Sequence, residues 1–302
     1  MERKIHCAKR EEGYAVTFDA MASPCELLID TEDKPLALLI GEHVAIEAWR
    51  IEDKYSRYNE KSVCGQLNAR AGQICDIDEE TFLLLQFADQ CFQMSQGLFD
   101  ITSGVLRKVW HFDGSENIPS VQEVENVLPF VGWQKITFDQ HSFHMQSKME
   151  IDFGGIGKEY AVDKALLIAQ QLLADNQLDH CPFLINFGGD LAVNGPRANN
   201  MAWSVGVEHP SLLNNKSMIV KISHGAIATS GDANRYLLRK GKRYSHILNV
   251  NTGWPVENPP SSVTVAAPKC IQAGLLSTLA LLQGKEAREF LISQDINHWV
   301  ID

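Results

Sequence analysis

Residues 152–158, Asp-Phe-Gly-Gly-Ile-Gly-Lys, join a predicted strand over residues 149–153 to a predicted helix over residues 160–174. Glycines let a backbone approach a phosphate closely, and a helix N-terminus presents N–H donors to it. The spacing matches neither the dinucleotide-binding pattern Gly-x-Gly-x-x-Gly nor the phosphate-loop pattern Gly-x-x-x-x-Gly-Lys-Ser/Thr. The stretch therefore predicts either a phosphate-binding turn or only a tight strand-to-helix connection.

The elements on either side of this turn predict an α+β fold. Apolar periodicity predicts helices over residues 44–58, 78–97, 102–110, 160–174 and 271–282, and a further helix that begins at Ser120. Asp78 and Ser120 are the predicted N-caps, and Gly97 is the glycine predicted to follow its helix. Strands are predicted over residues 14–19, 25–30, 135–138, 143–146, 149–153, 183–187, 191–194, 203–208, 218–223 and 262–266. Helices and strands segregate along the chain, which favours α+β over a doubly wound sheet.

Two more glycine clusters have open interpretations. Residues 185–191, Ile-Asn-Phe-Gly-Gly-Asp-Leu, predict a hairpin-like turn with Asp190 in its bend. Residues 228–232, Ala-Thr-Ser-Gly-Asp, either place hydroxyls near a ligand or merely form a turn. Ser23-Pro24 predicts a break between the first two strands. No repeat or linker interrupts the chain, so we expect a single domain over residues 1–302.

Charge and composition exclude several classes of protein. The net charge is −11, and the longest basic cluster is residues 239–243, so we expect no nucleic-acid partner. No apolar run is long enough for a membrane span, and none near Met1 suggests a signal peptide, so we expect a cytoplasmic protein. The 7 cysteines form no Cys-x-x-Cys pair, which predicts reduced, mostly buried thiols and no zinc site.

Seven segments, taken together and in order, resemble the FAD:protein FMN transferases of the ApbE family. They are Ala20-Met21, Gly97–Thr102, Asp152–Asp163, Asn186–Asp190, Ala228–Asp232, Tyr244–Pro255 and Ala273–Thr278. The resemblance implies a fold related to the T-fold, with FAD in a groove between two lobes. It also implies an enzyme that cleaves FAD and joins FMN through its phosphate to a Thr or Ser of a target protein, with Mg²⁺ as its metal. The expected targets are subunits of redox complexes.

The resemblance assigns site residues as well. Met21, Tyr58, Trp110, His111, Phe112, Asp152, Lys158 and Leu248 match positions that contact FAD. Gly155 matches a position whose carbonyl faces the metal, and Thr278 matches a metal-ligating hydroxyl. Ser277 shares a helix face with Gly274 and Thr278, and its hydroxyl is a further candidate metal ligand. Two positions depart from the family, because Gly274 and Asn249 stand where Asp is usual.

Each candidate side chain also has a plainer interpretation. His246 is the candidate base for an attacking hydroxyl or a phosphate contact; the alternative is a strand histidine bonded to a backbone carbonyl. Lys158 contacts phosphate or is a solvated surface lysine. Trp110 and Phe112 stack on FAD rings or pack in the core. Asp152 accepts from the adenylate half of FAD or caps a helix.

Gly274 leaves the predicted metal site without a carboxylate. Mg²⁺ usually takes one or two carboxylates together with substrate phosphates, so we expect weak metal binding without nucleotide and tighter binding in Gly274→Asp. Two other functions stay open on this ground. One is a non-catalytic FAD-binding protein, and the other is an FAD pyrophosphatase in which water replaces the protein hydroxyl.

Overall fold

The computed structural model describes residues 3–178, 181–207, 218–231 and 236–302. The strands in those ranges are β1 (His6–Lys9), β2 (Tyr14–Ala20), β3 (Ser23–Ile29), β4 (Cys75–Asp76), β5 (Ile136–Phe138), β6 (Ser142–Met145), β7 (Phe183–Phe187), β8 (Asp190–Val193), β9 (Trp203–Val207), β10 (Met218–Ile222), β11 (Gly225–Gly231), β12 (Tyr236–Arg239), β13 (Lys242–Ser245), β14 (Ser262–Ala267) and β15 (His298–Ile301). The α-helices are α1 (Lys34–Tyr55), α2 (Val63–Ala69), α3 (Glu79–Met94), α4 (Val121–Val127), α5 (Gly157–Asp175), α6 (Cys270–Leu282) and α7 (Ala287–Ser293). Short 3-10 helices cover Ile101–Lys108, Leu128–Phe130, Trp133–Lys135 and Gly284–Glu286.

An eight-stranded sheet forms the centre of the fold. Its strand order is β1-β2-β3-β7-β8-β11-β14-β15, and every neighbouring pair is antiparallel. β7 and β8 are joined by a two-residue turn in which Gly188 and Gly189 both have positive φ, which is the conformation that such hairpins favour. Segregated helices and an antiparallel sheet make this the α+β fold that the sequence predicts.

Helices α1, α5 and α6 pack against this sheet, and α5 also packs against both α1 and α6. α5 approaches closely because Ala161, Ala165 and Ala169 recur on its buried face. A separate cluster joins Leu191 and Ile227 of the sheet to Trp203 and Val220 of the β9–β10 hairpin. Among the described residues, no helix is both long and apolar enough to cross a membrane. The seven cysteines are free thiols, five of them buried, as the sequence predicts.

Both predicted N-caps are confirmed. The Asp78 carboxylate accepts from the Thr81 amide at 2.9 Å. Ser120 and Glu123 form a reciprocal capping box at the start of α4. α3 ends at Met94, earlier than predicted, because Gln96 and Gly97 both take positive φ and cannot continue it. The predicted helix over residues 102–110 is a 3-10 helix, with the Asp100 side chain capping its start.

Three predictions of local structure were wrong. Residues 149–153 form no strand, because the Ile151 amide and carbonyl bond to the side-chain amide of Asn68, at 2.8 and 2.9 Å. Ser23-Pro24 lies within β3, and the break is the Met21-Ala22 turn, where both residues have positive φ. Of the two interpretations of residues 228–231, the turn is wrong, because these residues belong to strand β11 and pair with β14. Asp232 lies outside the described residues.

Candidate functional site

The turn at residues 152–157 places the start of α5 beside the central strand β8. The Asp152 carboxylate accepts from the Gly154 amide at 2.9 Å, which shapes the turn. The N-cap position of α5 is Ile156, which has no capping side chain, so the cap predicted as the alternative role of Asp152 is not present. The first turn of α5 therefore presents backbone N–H groups that no capping side chain takes up, and such groups suit an anion.

Asp152 and Tyr58 are brought together by an arginine that sequence reasoning missed. Arg57 forms an ion pair with Asp152 and donates to the Tyr58 hydroxyl at 2.8 Å. Its guanidinium carbon lies 4.9 Å from the centre of the Tyr58 ring, and Tyr58 is 78% exposed. The cluster combines a positive group with an exposed aromatic ring, which are the two features that bind a nucleotide's charged and planar parts.

Lys158, in the first turn of α5, reaches across to β8. Its ammonium lies 3.2 Å from Asp190, a buried residue at the start of that strand rather than in the preceding bend as predicted. The other carboxylate oxygen of Asp190 accepts from the Thr229 amide at 3.3 Å. Burial raises the pKa of the Asp190 carboxyl, and the Lys158 charge and hydrogen bond and the Thr229 amide act in the opposite direction.

Three hydroxyls meet where β11 faces α6. The Ser230 oxygen lies 2.8 Å from the Ser277 oxygen and 3.0 Å from the Thr278 oxygen. Ser277 also donates to the carbonyl of Gly274 at 3.0 Å. The structure thus brings together Ser277 and Thr278, both predicted as metal ligands, and adds Ser230. Hydroxyl oxygens of this kind are hard ligands of the type that Mg²⁺ takes alongside carboxylates and phosphates.

Glu159 of α5 lies against Gly274 of α6, close to these hydroxyls, and sequence reasoning missed it. The residue is 8% exposed, and its Oε2 atom is buried without a hydrogen-bond partner in the described part of the chain. A methyl group placed on Gly274 would lie 2.5 Å from the Glu159 Oε1 atom, so the carboxyl group lies directly over that glycine. Burial raises the pKa of the Glu159 carboxyl to about 8, and the nearby Asp190 charge adds to the shift.

A second group of residues is aromatic and lies beside the 3-10 helix Ile101–Lys108. Trp110 and Phe112 stack with ring planes 3° apart and centres 5.6 Å apart. The Trp110 ring is 3% exposed, and its indole donates to the Gly253 carbonyl at 2.8 Å. His246 follows β13 and meets the edge of Phe112, with ring centres 6.3 Å apart. The core-packing alternative therefore describes Trp110, while Phe112 is only half-buried and stays available for a ligand.

Comparison with known proteins identifies the family of this chain. The family model described as "ApbE family" matches residues 21–299. The chain belongs to the ApbE family. It is 24% identical over 267 residues to the FAD:protein FMN transferase of Haemophilus influenzae, covering 85% of this chain and 73% of that one. It is 27% identical to the FAD:protein FMN transferase of Klebsiella pneumoniae, covering 90% of this chain and 83% of that one.

Solved ApbE structures share the fold over nearly the whole chain. The ApbE protein of Thermotoga maritima superposes with a TM-score of 0.83 at 28% identity, covering 99% of this chain and 94% of that one. The apo form of the Pseudomonas stutzeri flavinyl transferase ApbE gives a TM-score of 0.81 at 24% identity, covering 99% of this chain and 92% of that one. The recognition of the family and of the α+β fold from the sequence is confirmed.

The remaining predicted site residues lie outside the helices and the paired sheet strands. Met21 is in the β2–β3 turn, where its amide donates to Glu52 at 2.8 Å. His111 is exposed next to Trp110. Leu248 forms an isolated bridge with Pro255 and packs with the aromatic group. Gly155 lies in the turn before α5, where an added methyl group would be 3.2 Å from the Phe99 ring. The described residues contain no cluster of three or more His, Cys, Asp or Glu side chains suited to a metal.

Two residues of the ApbE motifs hold the fold together. Both carboxylate oxygens of Asp163 on α5 accept from the first amides of α6, Cys270 at 2.9 Å and Ile271 at 3.0 Å. Asp100 accepts from the Thr102 amide and hydroxyl and from the Trp133 amide. Asp163 thereby fixes α6 against α5, and so positions Thr278 opposite the start of α5.

Proposed function

We propose that this chain is an FAD:protein FMN transferase that requires Mg²⁺. The acceptor hydroxyl oxygen of a Thr or Ser bonds to the FMN phosphorus, the pyrophosphate bond breaks, and AMP leaves with the bridging oxygen. Membership of the ApbE family and the names of the curated relatives support the reaction. One observation carries it here: Asp190 contacts both Lys158, at the uncapped start of α5, and the Thr229 amide, whose neighbour Ser230 contacts Thr278.

The start of α5, with Lys158 and the nearby hydroxyls of Ser230 and Thr278, suits the pyrophosphate of FAD. Lys158 supplies a point charge and the first turn of α5 supplies N–H donors, and both compensate phosphate charge as it shifts during transfer. The Arg57–Tyr58–Asp152 cluster adjoins the same turn and suits the nucleotide's sugar and rings. Met21, His111 and Leu248 complete the proposed FAD contacts, with Phe112 as the stacking ring and Trp110 packed behind it.

The oxygen ligands suit Mg²⁺ once a phosphate is present. Ser277 and Thr278 offer hydroxyls, and Gly155 is the proposed carbonyl ligand. The buried Oε2 atom of Glu159, beside these hydroxyls, has no hydrogen-bond partner among the described residues, which supports a cation site there. Bound there, Mg²⁺ would stabilise negative charge on the phosphates.

His246 is the proposed general base. It is half-buried against the edge of Phe112 and follows a strand rather than lying within one. In this position it takes the proton of the acceptor hydroxyl as the oxygen attacks phosphorus. The acceptor is a protein, most simply a redox-complex subunit, because the product is a protein that carries FMN. The buried free thiols suit a reducing compartment, and a cytoplasmic location is part of the proposal.

Incubation with FAD, Mg²⁺ and a candidate redox subunit tests the proposal. A transferase yields a fluorescent acceptor band and an FMN mass added to one Thr or Ser. His246→Ala is expected to lower this transfer by ~10²-fold or more while FAD binding persists. His43→Ala is the matched control, since His43 is exposed on α1 and contacts only its own helix in the bonds described. Transfer at the wild-type rate by His246→Ala would remove the base role.

A second candidate is a non-catalytic FAD-binding protein, which Gly274 favours because it offers no side-chain ligand. Such a protein leaves FAD intact in the same incubation. An FAD pyrophosphatase, in contrast, releases free FMN and AMP without labelling the acceptor. The three outcomes are separated by one chromatogram of the nucleotides and one fluorescence scan of the gel.

A further inference from the structure

Glu159 is the one buried side chain in the described residues with an oxygen that lacks a hydrogen-bond partner. Burying a polar group without a partner is costly, and in a native site such an atom requires an explanation. Glu159 belongs to the first turn of α5, whose buried face otherwise carries apolar residues. A solvated surface glutamate would not be placed here, so the carboxyl group points to a ligand.

Gly274 is explained by the same carboxyl group. Glycine inside a helix costs about 1 kcal/mol relative to alanine, so a packing reason is expected for it. An added methyl group at Gly274 would lie 2.5 Å from both Cγ and Oε1 of Glu159 and 2.8 Å from its Cδ. Any side chain at 274 would collide with Glu159, and the two positions on α5 and α6 therefore share one space.

Among the described residues, oxygen atoms surround that space, and the nearby positive charge is Lys158. Ser277 donates to the Gly274 carbonyl at 3.0 Å, and Ser230 links Ser277 to Thr278. The Asp190 charge raises the pKa of the Glu159 carboxyl, in the same direction as burial does. The Lys158 ammonium lies 3.2 Å from the Asp190 carboxylate and forms an ion pair with it. A divalent cation between Glu159 and the hydroxyls would give the buried Oε2 atom of Glu159 the partner that it lacks among the described residues.

We propose that Glu159 supplies the carboxylate ligand for Mg²⁺, from α5, into the space above Gly274 on α6. This inference rests on the proposed Mg²⁺-dependent function. The helix that carries the hydroxyl ligands then contributes no carboxylate of its own. With one carboxylate and neutral oxygens, the protein binds the ion weakly alone and firmly when the FAD phosphates complete the set.

Direct metal binding tests this without any turnover. Mn²⁺ replaces Mg²⁺ as a paramagnetic probe, and its free concentration is read by electron paramagnetic resonance on the full chain, with and without saturating FAD. FAD alone gives the background. Glu159→Gln keeps shape and removes charge, and we expect it to weaken FAD-dependent Mn²⁺ binding by about 10- to 100-fold or more, the scale for losing a supporting or direct ligand. FAD affinity without metal should stay unchanged.

Two further variants control the result. Asp175→Asn removes the same charge at the far end of α5, about 24 Å along the helix, and should bind Mn²⁺ like the wild type. The double variant Glu159→Gly with Gly274→Asp moves the carboxylate to the other helix and should restore binding that Glu159→Gly alone lacks. This second comparison decides the matter if Glu159→Gln folds poorly.

The outcomes separate this inference from the proposed function. Equal Mn²⁺ affinity in Glu159→Gln and the wild type overturns the inference, and leaves Glu159 as a buried neutral acid. Absence of FAD-dependent Mn²⁺ binding in the wild type overturns it too. If Mn²⁺ binding depends on Glu159 but no acceptor is ever flavinylated, the metal site stands and the transferase proposal fails.

Discussion

Trp110→Phe distinguishes a core residue from a residue that stacks on FAD. The indole ring is 3% exposed, donates to the buried Gly253 carbonyl at 2.8 Å, and meets Trp254 edge-on with ring centres 5.3 Å apart. Phenylalanine keeps an aromatic ring but cannot donate. We therefore expect a large loss of stability and at most a small change in FAD affinity.

The magnitude follows from two losses. Leaving the Gly253 carbonyl buried without its donor costs about 1–3 kcal/mol. The smaller ring leaves part of the indole volume empty, which adds about 1–2 kcal/mol if the site collapses only partly. The sum, about 2–5 kcal/mol, corresponds to a fall in Tm of roughly 4–10 °C for a chain of this size.

Thermal melting and flavin-fluorescence titration measure the two effects separately. Phe112→Leu is the matched comparison, because Phe112 is half-buried on the outer side of the same stack and touches His246. That variant should melt close to the wild type and bind FAD more weakly. An unchanged Tm together with FAD binding weakened tenfold in Trp110→Phe would refute the reasoning and make Trp110 a ligand contact.

Two other variants test the packing around α5. In Glu80, burial acts to raise the carboxyl pKa, but hydrogen bonds from Arg50, Lys54 and Tyr160 outweigh it and lower the pKa from 4.5 to about 2. The folded-state pKa lies below the unfolded one, so the stabilisation is complete above about pH 4.5 and is lost as the pH falls towards 2. After allowance for solvent screening, Glu80→Gln should lower the free energy of unfolding by about 1–2 kcal/mol at pH 7 and by progressively less in acid. Urea titrations at several pH values measure this difference, and a loss that does not change with pH would contradict the reasoning. Gly274→Ala should lower the Tm, because the added methyl group collides with Glu159 even though alanine has the better helix propensity. The loss of stability should be about 1–3 kcal/mol, and adding Glu159→Gly to the same chain should restore the Tm. An unchanged Tm in Gly274→Ala would show that the space is open.

The family and most of the fold were accessible from the sequence because the signals are local. Asp78 and Ser120 mark helix starts by side-chain chemistry that acts within three residues. Strand β11 was missed because its small residues resemble a turn when read alone. In the sheet these residues pair with β14, and their small side chains let α6 pack directly against the strand.

The candidate site was harder to predict because its contacts join distant segments. Arg57 and Asp152 are 95 positions apart, and nothing near either one marks the pair. Trp110 shows the same limit, since an aromatic residue in a matching motif gives no sign of whether its ring faces the core or a ligand. Thr278 was predicted from the family resemblance, and Ser277 from the helix face that it shares with Thr278. Their partner Ser230 comes from a strand that was not recognised.

Gly274 shows why a departure from a family pattern cannot be interpreted at one position. Considered alone, it removes a carboxylate and predicts that Gly274→Asp tightens metal binding. The structure alters that expectation, because the space above Gly274 already holds the Glu159 carboxyl group, and an aspartate would collide with it. α5 and α6 lie side by side, held by the bonds from Asp163 to the first amides of α6, so a side chain from either helix reaches the same point. The metal site then needs one carboxylate, which either α5 or α6 can supply, and the residue opposite it on the other helix must be small. Gly274→Asp should therefore tighten metal binding when it is added to Glu159→Gly, and should not tighten it when it is added to the wild type. Metal affinities of the two single variants and the double variant measure that dependence.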